Sequence, residues 1–344
     1  MKSKLDEARE IINTVDAKMI ELFKERMKAA KMVAEYKKEH NLPILDAKRE
    51  ETLIEKNMKM LNNDDLASYY ESFLKNMLTI SKDFQTKLIE KHYALIGHPL
   101  GHSISPFIHS LIFHKQNINA SYELKDIEEK DLEAAIKELR DGRYCGYNVT
   151  IPYKEKIMPY LDEISIEAKA IGAVNTISCV NGKVIGYNTD YAGIKAEILQ
   201  YKLDIQGKDI YILGSGGASK ACFKVVTDLG GNPIVVSRTK NSSNISYEEL
   251  YQLKEISGII NTTPVGMYPN SEEAPIDKTV ASKAGFIIDV IFNPRKTKLM
   301  SYNDTSYNGL PMLIHQAIKA EEIWQKEEFN KMDLYAYIKG ELNE

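Results

Sequence analysis

A lysine and an aspartate set well apart in the chain, Lys154 and Asp190, are the pair from which proton-transfer chemistry could be built. A carboxylate can orient an ammonium, and partial burial can tune it to give or take a proton at an alcohol or carbonyl oxygen. Each residue lies in a polar island read as the end of a strand. One is Gly146-Tyr-Asn-Val-Thr150-Ile-Pro-Tyr-Lys154-Glu155; the other joins Ala173-Val-Asn175 with Gly186-Tyr-Asn-Thr-Asp190. Such ends converge on the ligand crevice of an open α/β sheet. A further island, His102-Ser103-Ile-Ser105-Pro106, offers two hydroxyls ahead of a proline that starts a helix. Taken singly, each island also reads as caps and turns.

A second chemistry is phosphate binding. Asp209-Ile-Tyr-Ile-Leu213 is a short apolar run, read as a buried parallel strand. Gly214-Ser215-Gly216-Gly217-Ala218-Ser219 follows, and then a helical stretch from Lys220 to Val226. Strand, glycine turn and helix in that order are the context of a dinucleotide fingerprint. Gly214 permits the tight turn, Gly216 lets the backbone approach a pyrophosphate, and the helix N-terminus offers free N–H groups. The next strand, Pro233–Arg238, ends in Ser237-Arg238-Thr239-Lys240 where an NAD site usually carries an acid. A cation and two hydroxyls suit a 2′-phosphate, which points to NADP.

The third set is cationic. Residues 3–90 hold one proline, Pro43, and no glycine. Leu5, Ala8, Ile12, Val15, Met19, Leu22, Arg26, Ala29, Val33 and Tyr36 step by three and four, a seam along one helix of roughly 50 Å. So long a helix wants a partner, most simply its own copy. Arg26 interrupts the seam and Lys37 lies on the same face. A second helix is expected from Asp46 to about Leu61, a capped turn at residues 62–65, and a third helix from about Leu66 to Glu90. On the third, Ser81 and Gln85 border the apolar stripe Phe73, Met77, Ile80 and Phe84. Buried cations want an anionic ligand. Arg9, a quarter turn off the Arg26 face, is expected to point into a neighbour's site. A helical dimerisation module with solvated charges fits the spacing equally well.

The elements that must position these groups divide the chain in two. After Tyr93 strands and helices alternate, at 93–96, 121–124, 146–150, 173–180 and 183–187, with a hairpin turn at Asn181-Gly182. The 344 residues, 43% hydrophobic, allow two or three domains with real cores. With 45 basic and 49 acidic residues the net charge of −4 gives no reason to expect nucleic acid or an anionic membrane. Cys145, Cys179 and Cys222 are few and scattered, which fits a reducing compartment. No apolar run reaches membrane-spanning length and no signal region is seen, so a soluble cytoplasmic protein is expected. His98 and His102 are four apart, but Pro99 and Gly101 argue against the helix a metal pair would need.

Residues 3–90 resemble the all-helical chorismate mutase family, with Arg9, Arg26, Lys37, Asp46, Arg49, Glu50, Ser81 and Gln85 at its active-site positions and spacing. The resemblance implies intertwined helical chains. Arginines, one from the partner, would hold the carboxylates of chorismate. Lys37 and Gln85 would bond the ether oxygen as the C–O bond breaks, and Asp46 and Glu50 would hold the hydroxyl. Rearrangement to prephenate then needs a compact bound conformer and stabilised charge, with no nucleophile.

From about Tyr93 to Tyr337 the chain resembles shikimate dehydrogenase, through Gly97-His-Pro-Leu-Gly-His-Ser-Ile-Ser-Pro106, Asn148-Val-Thr-Ile-Pro-Tyr-Lys154, Gly172-Ala-Val-Asn-Thr176, Tyr187-Asn-Thr-Asp190, Gly214-Ser-Gly-Gly-Ala218 and Gly309-Leu-Pro-Met-Leu-Ile-His-Gln316. That resemblance implies that Ser103 and Ser105 hold the substrate carboxylate, and that Thr150, Asn175 and Gln316 hold hydroxyls. Lys154 would move the proton with Asp190 as its partner. Gly214–Ala218 and Ser237–Thr239 would bind NADP, with Gly309 near the nicotinamide. Phe292 stands where the family usually has a substrate-binding tyrosine. The loop after Arg238-Thr239 lacks a second basic residue, for which Lys240 would substitute.

The expected fold is multidomain: a three-helix domain at 1–91, an α/β substrate subdomain at 92–195, a Rossmann NADP subdomain at 196–308, and C-terminal helices at 309–344 returning to the substrate subdomain. The expected protein is a cytoplasmic homodimer, joined through its helices, with both activities. Two alternatives stand beside it: a helical part that only dimerises or regulates, and a quinate/shikimate dehydrogenase using NAD.

Overall fold

The computed structural model describes residues 3–40, 42, 44–101, 103–239 and 242–342. Pro43, His102 and Lys240 lie outside the described residues. The chain forms two compact units, Met1–Lys91 and His92–Glu344. Among the described residues no helix is long and apolar enough to cross a membrane.

The first unit is α1 (Lys4–Glu39), α2 (Ala47–Leu61) and α3 (Asp64–Ile89). Its turns are fixed by short polar side chains. Asp46 caps α2 by accepting from the Arg49 backbone N–H. Asn62 ends it in the left-handed region, and Asn63 caps α3 through Leu66 N–H. Among the described residues of α1, Ala30 and Ala34 are buried within the unit, and their small side chains let α1 approach α3. The apolar seam itself stays uncovered: Leu5, Ile12, Val15, Met19, Leu22, Val33 and Tyr36 are exposed. On α3, Leu74, Ser81 and Gln85 are buried, and Phe73, Met77 and Ile80 of the expected stripe line a largely apolar cavity together with Ser81 and Gln85.

The second unit carries two six-stranded sheets. The first uses β1 (Lys91–Gly97), β2 (Ala120–Asp126), β3 (Gly146–Val149), β4 (Glu163–Ile164), β5 (Thr176–Val180) and β6 (Lys183–Tyr187). Their order is β2-β1-β3-β5-β6-β4. β3 runs parallel to β1 and antiparallel to β5, and Asn181 and Gly182, both at positive φ, close the β5–β6 hairpin. Residues 173–175, expected as strand, lie outside β5. There Val174 N–H donates to the Lys154 carbonyl at 2.7 Å, tying the two islands together.

The second sheet uses β7 (Asp209–Leu213), β8 (Asn232–Val236), β9 (Asn244–Ile245), β10 (Gly258–Asn261), β11 (Ile287–Asp289) and β12 (Ser306–Asn308). Every pairing is parallel, in the order β12-β11-β10-β7-β8-β9. Strand order reverses between β7 and β10, which opens a crevice at their carboxyl ends.

The helices are α4 (Ser105–Lys115), α5 (Leu132–Arg140), α6 (Ile166–Ile171), α7 (Asp190–Gln200), α8 (Gly217–Asp228), α9 (Tyr247–Tyr251), α10 (Lys278–Ala281), α11 (Leu310–Gln325) and α12 (Lys331–Glu341). One core packs Ile210, Ile212 and Ile260 of the parallel sheet against Ile194, Cys222 and Val225. Another packs Ile96, Tyr147, Ile177 and Val184 against Ile136 and Leu139. α11 bridges the layers: it packs on α7, its Trp324 donates to the Ile177 carbonyl at 2.9 Å, and the indole stacks on Tyr93.

Candidate active sites

Lys154 lies in the turns after β3, and Asp190 is the first residue of α7, just past the end of β6. The lysine Nζ donates to Asp190 Oδ2 at 2.5 Å, with side chains 17% and 6% exposed. Asn175 Nδ2 donates to the other carboxylate oxygen at 2.8 Å. Its own Oδ1 accepts from Thr189 N–H at 2.6 Å. Gln316, on α11, meets the same network by accepting from the Thr189 hydroxyl at 3.5 Å. Two helices, α7 and α11, with the turns after β3 and the segment leading into β5, thus bring Lys154, Asp190, Asn175 and Gln316 together.

Ser103 and Ser105 form their own pair at the start of α4, with Ser103 Oγ 3.1 Å from Ser105 Oγ. Thr150 is half-buried and its N–H donates to the Ile96 carbonyl at 3.0 Å. Phe292 is half-buried against the cluster of Ile108, Leu310 and Ile314, so it contributes packing.

The glycine loop has the shape a dinucleotide needs. Gly214, at φ +106, sits at the carboxyl end of β7, and a side-chain carbon there would stand 2.9 Å from Thr262 Oγ1, just past the neighbouring β10. Gly216 begins α8 with no side-chain cap, and the space above its Cα is open. The first N–H groups of α8 are therefore available to an anion. Ser215 is exposed and Ala218 half-buried. At the end of β8, Ser237 Oγ accepts from Thr239 N–H at 3.3 Å, and Arg238 and Thr239 are exposed. Gly309 begins α11, its N–H donating to the Ile291 carbonyl at 3.2 Å. Open glycines, an uncapped helix start and an exposed arginine fit a phosphorylated dinucleotide.

In the helical unit a cavity of about 1110 Å³ is lined by Arg26, Lys37, Asp46, Arg49, Glu50, Ser81 and Gln85. Arg26 Nη1 donates to Ser81 Oγ at 2.7 Å, and Lys37 Nζ to the Ile44 carbonyl at 2.5 Å. Both cations are half-buried, less enclosed than the seam implied. Gln85 Oε1 is buried with no hydrogen-bond partner among the described residues. Arg9 is exposed and outside the lining.

Sequence reasoning missed several partners. Lys82 pairs with Glu50 at 3.0 Å across α2 and α3. Lys220 of α8 pairs with Glu155, beside Lys154, at 2.7 Å. Thr189 and Thr176 knit the Asn175 amide. Thr189 stands inside one of the islands and Thr176 directly follows the Ala173–Asn175 stretch. Long-range pairs such as Glu50–Lys82 leave no local signal. Among the described residues no three His, Cys, Asp or Glu side chains gather as a metal set, and His98 instead pairs with Asp126 at 2.7 Å.

Residues 95–177 match the shikimate dehydrogenase substrate binding domain, and residues 8–86 match chorismate mutase type II. The NADP⁺ shikimate dehydrogenase of Caldanaerobacter subterraneus subsp. tengcongensis is 39% identical over 273 residues, 73% of this chain and 98% of that protein. The crystal structure of a chorismate mutase/shikimate 5-dehydrogenase fusion protein from Clostridium acetobutylicum is 35% identical with a TM-score of 0.70, over 74% of this chain and 99% of that one. A Thermus thermophilus shikimate 5-dehydrogenase solved with NADP(H) and shikimate is 27% identical with a TM-score of 0.66, over 72% of this chain and 98% of that one. The chain from His92 onward, with its paired sheets, glycine loop and Lys154–Asp190 couple, thus belongs to the shikimate dehydrogenase family, fused behind a helical unit that matches chorismate mutase type II.

Proposed function

We propose that the chain is a bifunctional enzyme that reversibly reduces 3-dehydroshikimate to shikimate with NADPH and rearranges chorismate to prephenate. The observation that carries the first activity is the Lys154–Asp190 pair next to the glycine loop, where a side-chain carbon on Gly217 would stand 3.1 Å from Lys154 Cδ. Proton handling and cofactor binding are therefore neighbours. NADP⁺ held beside this pair would supply the hydride acceptor for the substrate carbinol carbon. Lys154 takes the hydroxyl proton, and Asp190 holds the resulting ammonium. Ser103 and Ser105 hold the substrate carboxylate, and Thr150, Asn175 and Gln316 its hydroxyls. Gly214–Ala218 take the pyrophosphate, Ser237–Thr239 the 2′-phosphate, and Gly309 flanks the nicotinamide. The substrate subdomain is assigned to 92–195, the NADP subdomain to 196–308 and the returning helices to 309–344.

The second activity rests on the cavity of the helical unit, with Arg26, Lys37, Arg49, Lys82 and the buried Gln85 oxygen among its lining. Arg26 and Arg49 hold the carboxylates, Lys37 and Gln85 face the ether oxygen, and Asp46 with Glu50 holds the hydroxyl. Stabilising developing charge in a compact conformer is all that a unimolecular rearrangement asks. The uncovered seam of α1 and the exposed Phe73 and Ile80 support a homodimer through this unit, to which Arg9 contributes in the neighbouring copy. A cytoplasmic location is proposed from the sparse cysteines.

Purified protein should convert chorismate to prephenate and, separately, oxidise shikimate with NADP⁺ in preference to NAD⁺. A chain that oxidises shikimate but leaves chorismate untouched would reduce the helical unit to a dimerisation module.

A further inference from the structure

A buried hydrogen-bond chain leads away from Asp190 into the core of the first sheet. Asp190 Oδ1 accepts from Asn175 Nδ2 at 2.8 Å. Because a carboxylate only accepts, the Asn175 atom facing it is the amide nitrogen, which leaves Asn175 Oδ1 to face Thr189 N–H and the hydroxyl of Thr176, 3.1 Å away. Thr176 Oγ1 in turn accepts from Asn148 Nδ2 at 3.0 Å. The orientation of Asn148 is fixed in the same way, since its nitrogen also faces the Asn175 carbonyl at 3.2 Å. Its oxygen then accepts from the Tyr122 hydroxyl at 2.7 Å. The Thr189 hydroxyl lies beside this chain, 3.0 Å from Thr176 Oγ1, and accepts from Asn175 Nδ2 at 3.1 Å.

Every donor in this series points toward Asp190. Such a run of aligned dipoles strengthens each link and favours negative charge at its end. The far end is anchored. Tyr122 stacks on His109 with centroids 4.0 Å apart and planes at 7°, and His109 Nδ1 is bonded to Glu321 at 2.6 Å. Burial and the Glu321 charge hold the Tyr122 phenol well above its ordinary range, so it stays a donor. Thr176 is completely buried and Asn148 nearly so, which keeps water from replacing a missing link.

We propose that Thr176 and Tyr122 are positioning residues for the dehydrogenase: through Asn148 and Asn175 they set the orientation and charge of the Asp190 carboxylate that holds Lys154. The inference rests on the dehydrogenase reading above and assigns neither residue a contact with substrate or cofactor. Losing a link concentrates charge on Asp190, which then grips the ammonium more tightly. Lys154 is then less ready to accept the proton during shikimate oxidation.

The test uses the full-length protein with Thr176→Val, Thr176→Ser and Tyr122→Phe, the last keeping the ring on His109. NADPH titration counts folded sites, so turnover is expressed per binding site. Thr176→Val should lower kcat for shikimate oxidation about tenfold, the effect of one buried hydrogen bond on the barrier. Tyr122→Phe should lower it about two- to threefold, and Thr176→Ser should restore most of the rate. The solvent deuterium isotope effect on kcat should rise in Thr176→Val, and the pH–rate profile of oxidation should move to higher pH. KM for NADP⁺ should not change. Thr176→Val sites that turn over at the wild-type rate, with unaltered isotope effect and pH profile, would leave the chain a purely structural role and overturn the proposal. Wild-type protein unable to oxidise shikimate would overturn the dehydrogenase reading and this inference together.

Discussion

The stem of Lys154 lies against the backbone of Gly217, so that a side-chain carbon on the glycine would stand 3.1 Å from Lys154 Cδ and 3.3 Å from its Cβ. The residue assigned to proton transfer and the loop assigned to the pyrophosphate are therefore in van der Waals reach. This makes the choice of substitution matter. Lys154→Met keeps the stem that packs on Gly217 and removes only the ammonium. Shikimate oxidation should fall by at least about two orders of magnitude in kcat, the scale of general acid–base help. NADP⁺ affinity and chorismate turnover should be unchanged. Single-turnover hydride transfer near the wild-type rate would mean that another group takes the proton.

Arg238 is exposed just past β8, following the buried Ser237 whose hydroxyl accepts from Thr239 N–H. It has a charge to offer a 2′-phosphate and little to offer a bare hydroxyl. Arg238→Ala should raise KM for NADP⁺ by about one to two orders of magnitude, since a charge-assisted bond is worth ~1.5–3 kcal/mol. KM for NAD⁺ should barely move. Equal damage to both cofactors would show that the arginine supports the loop itself.

In the helical unit Arg26 reaches across to Ser81 at 2.7 Å, and both line the cavity. Arg26→Ala leaves the α1 backbone and the Ala30/Ala34 packing in place, so the unit should stay folded. Chorismate mutase activity should disappear while shikimate oxidation persists. Parallel loss of both activities, with a changed circular dichroism spectrum, would point instead to misfolding.

Periodicity and turn chemistry made much of this fold legible. The glycine-free run announced α1, the Asn181-Gly182 hairpin and the strand Asp209–Leu213 were read with their bounds, and Asp46 and Asn63 act as caps where capping residues were expected. The misreadings have physical causes. Residues 173–175 have strand-like side chains, but Val174 N–H is taken by the Lys154 carbonyl. Spacing places Ser81 and Gln85 only at the border of the stripe of Phe73, Met77 and Ile80, yet both are buried and share the cavity with it, because which flank of a stripe is covered depends on the neighbouring helices. Glu50–Lys82 and Glu155–Lys220 depend on tertiary placement alone.

Glu197, on α7, is a carboxyl in the wrong place for a stable core. It is 1% exposed, and neither oxygen has a hydrogen-bond partner among the described residues. Burial, and then the charge of Asp289, push it well above the ordinary carboxylate range. Asp289 on β11 is itself raised to about 6 by burial, against the donors Thr297, Ile291 and Asn261 that favour its charge. Below about pH 4 both folded and unfolded chains keep the Glu197 proton, and burial carries no ionic penalty. As pH rises past the ordinary carboxylate range, the unfolded chain releases that proton while the folded chain retains it. Stability then falls by up to about 1.4 kcal/mol per pH unit until the folded group ionises. Glu197→Met preserves the unbranched shape and removes this loss. The variant should be more stable than wild type, and the gain should be larger at pH 8 than at pH 5. Urea unfolding of the second unit, followed through the fluorescence of Trp324, the one tryptophan in the chain, measures it directly. A gain equal at both pH values would mean that Glu197 is charged and paired in solution, and a loss at both would mean that its carboxyl makes contacts the fold depends on.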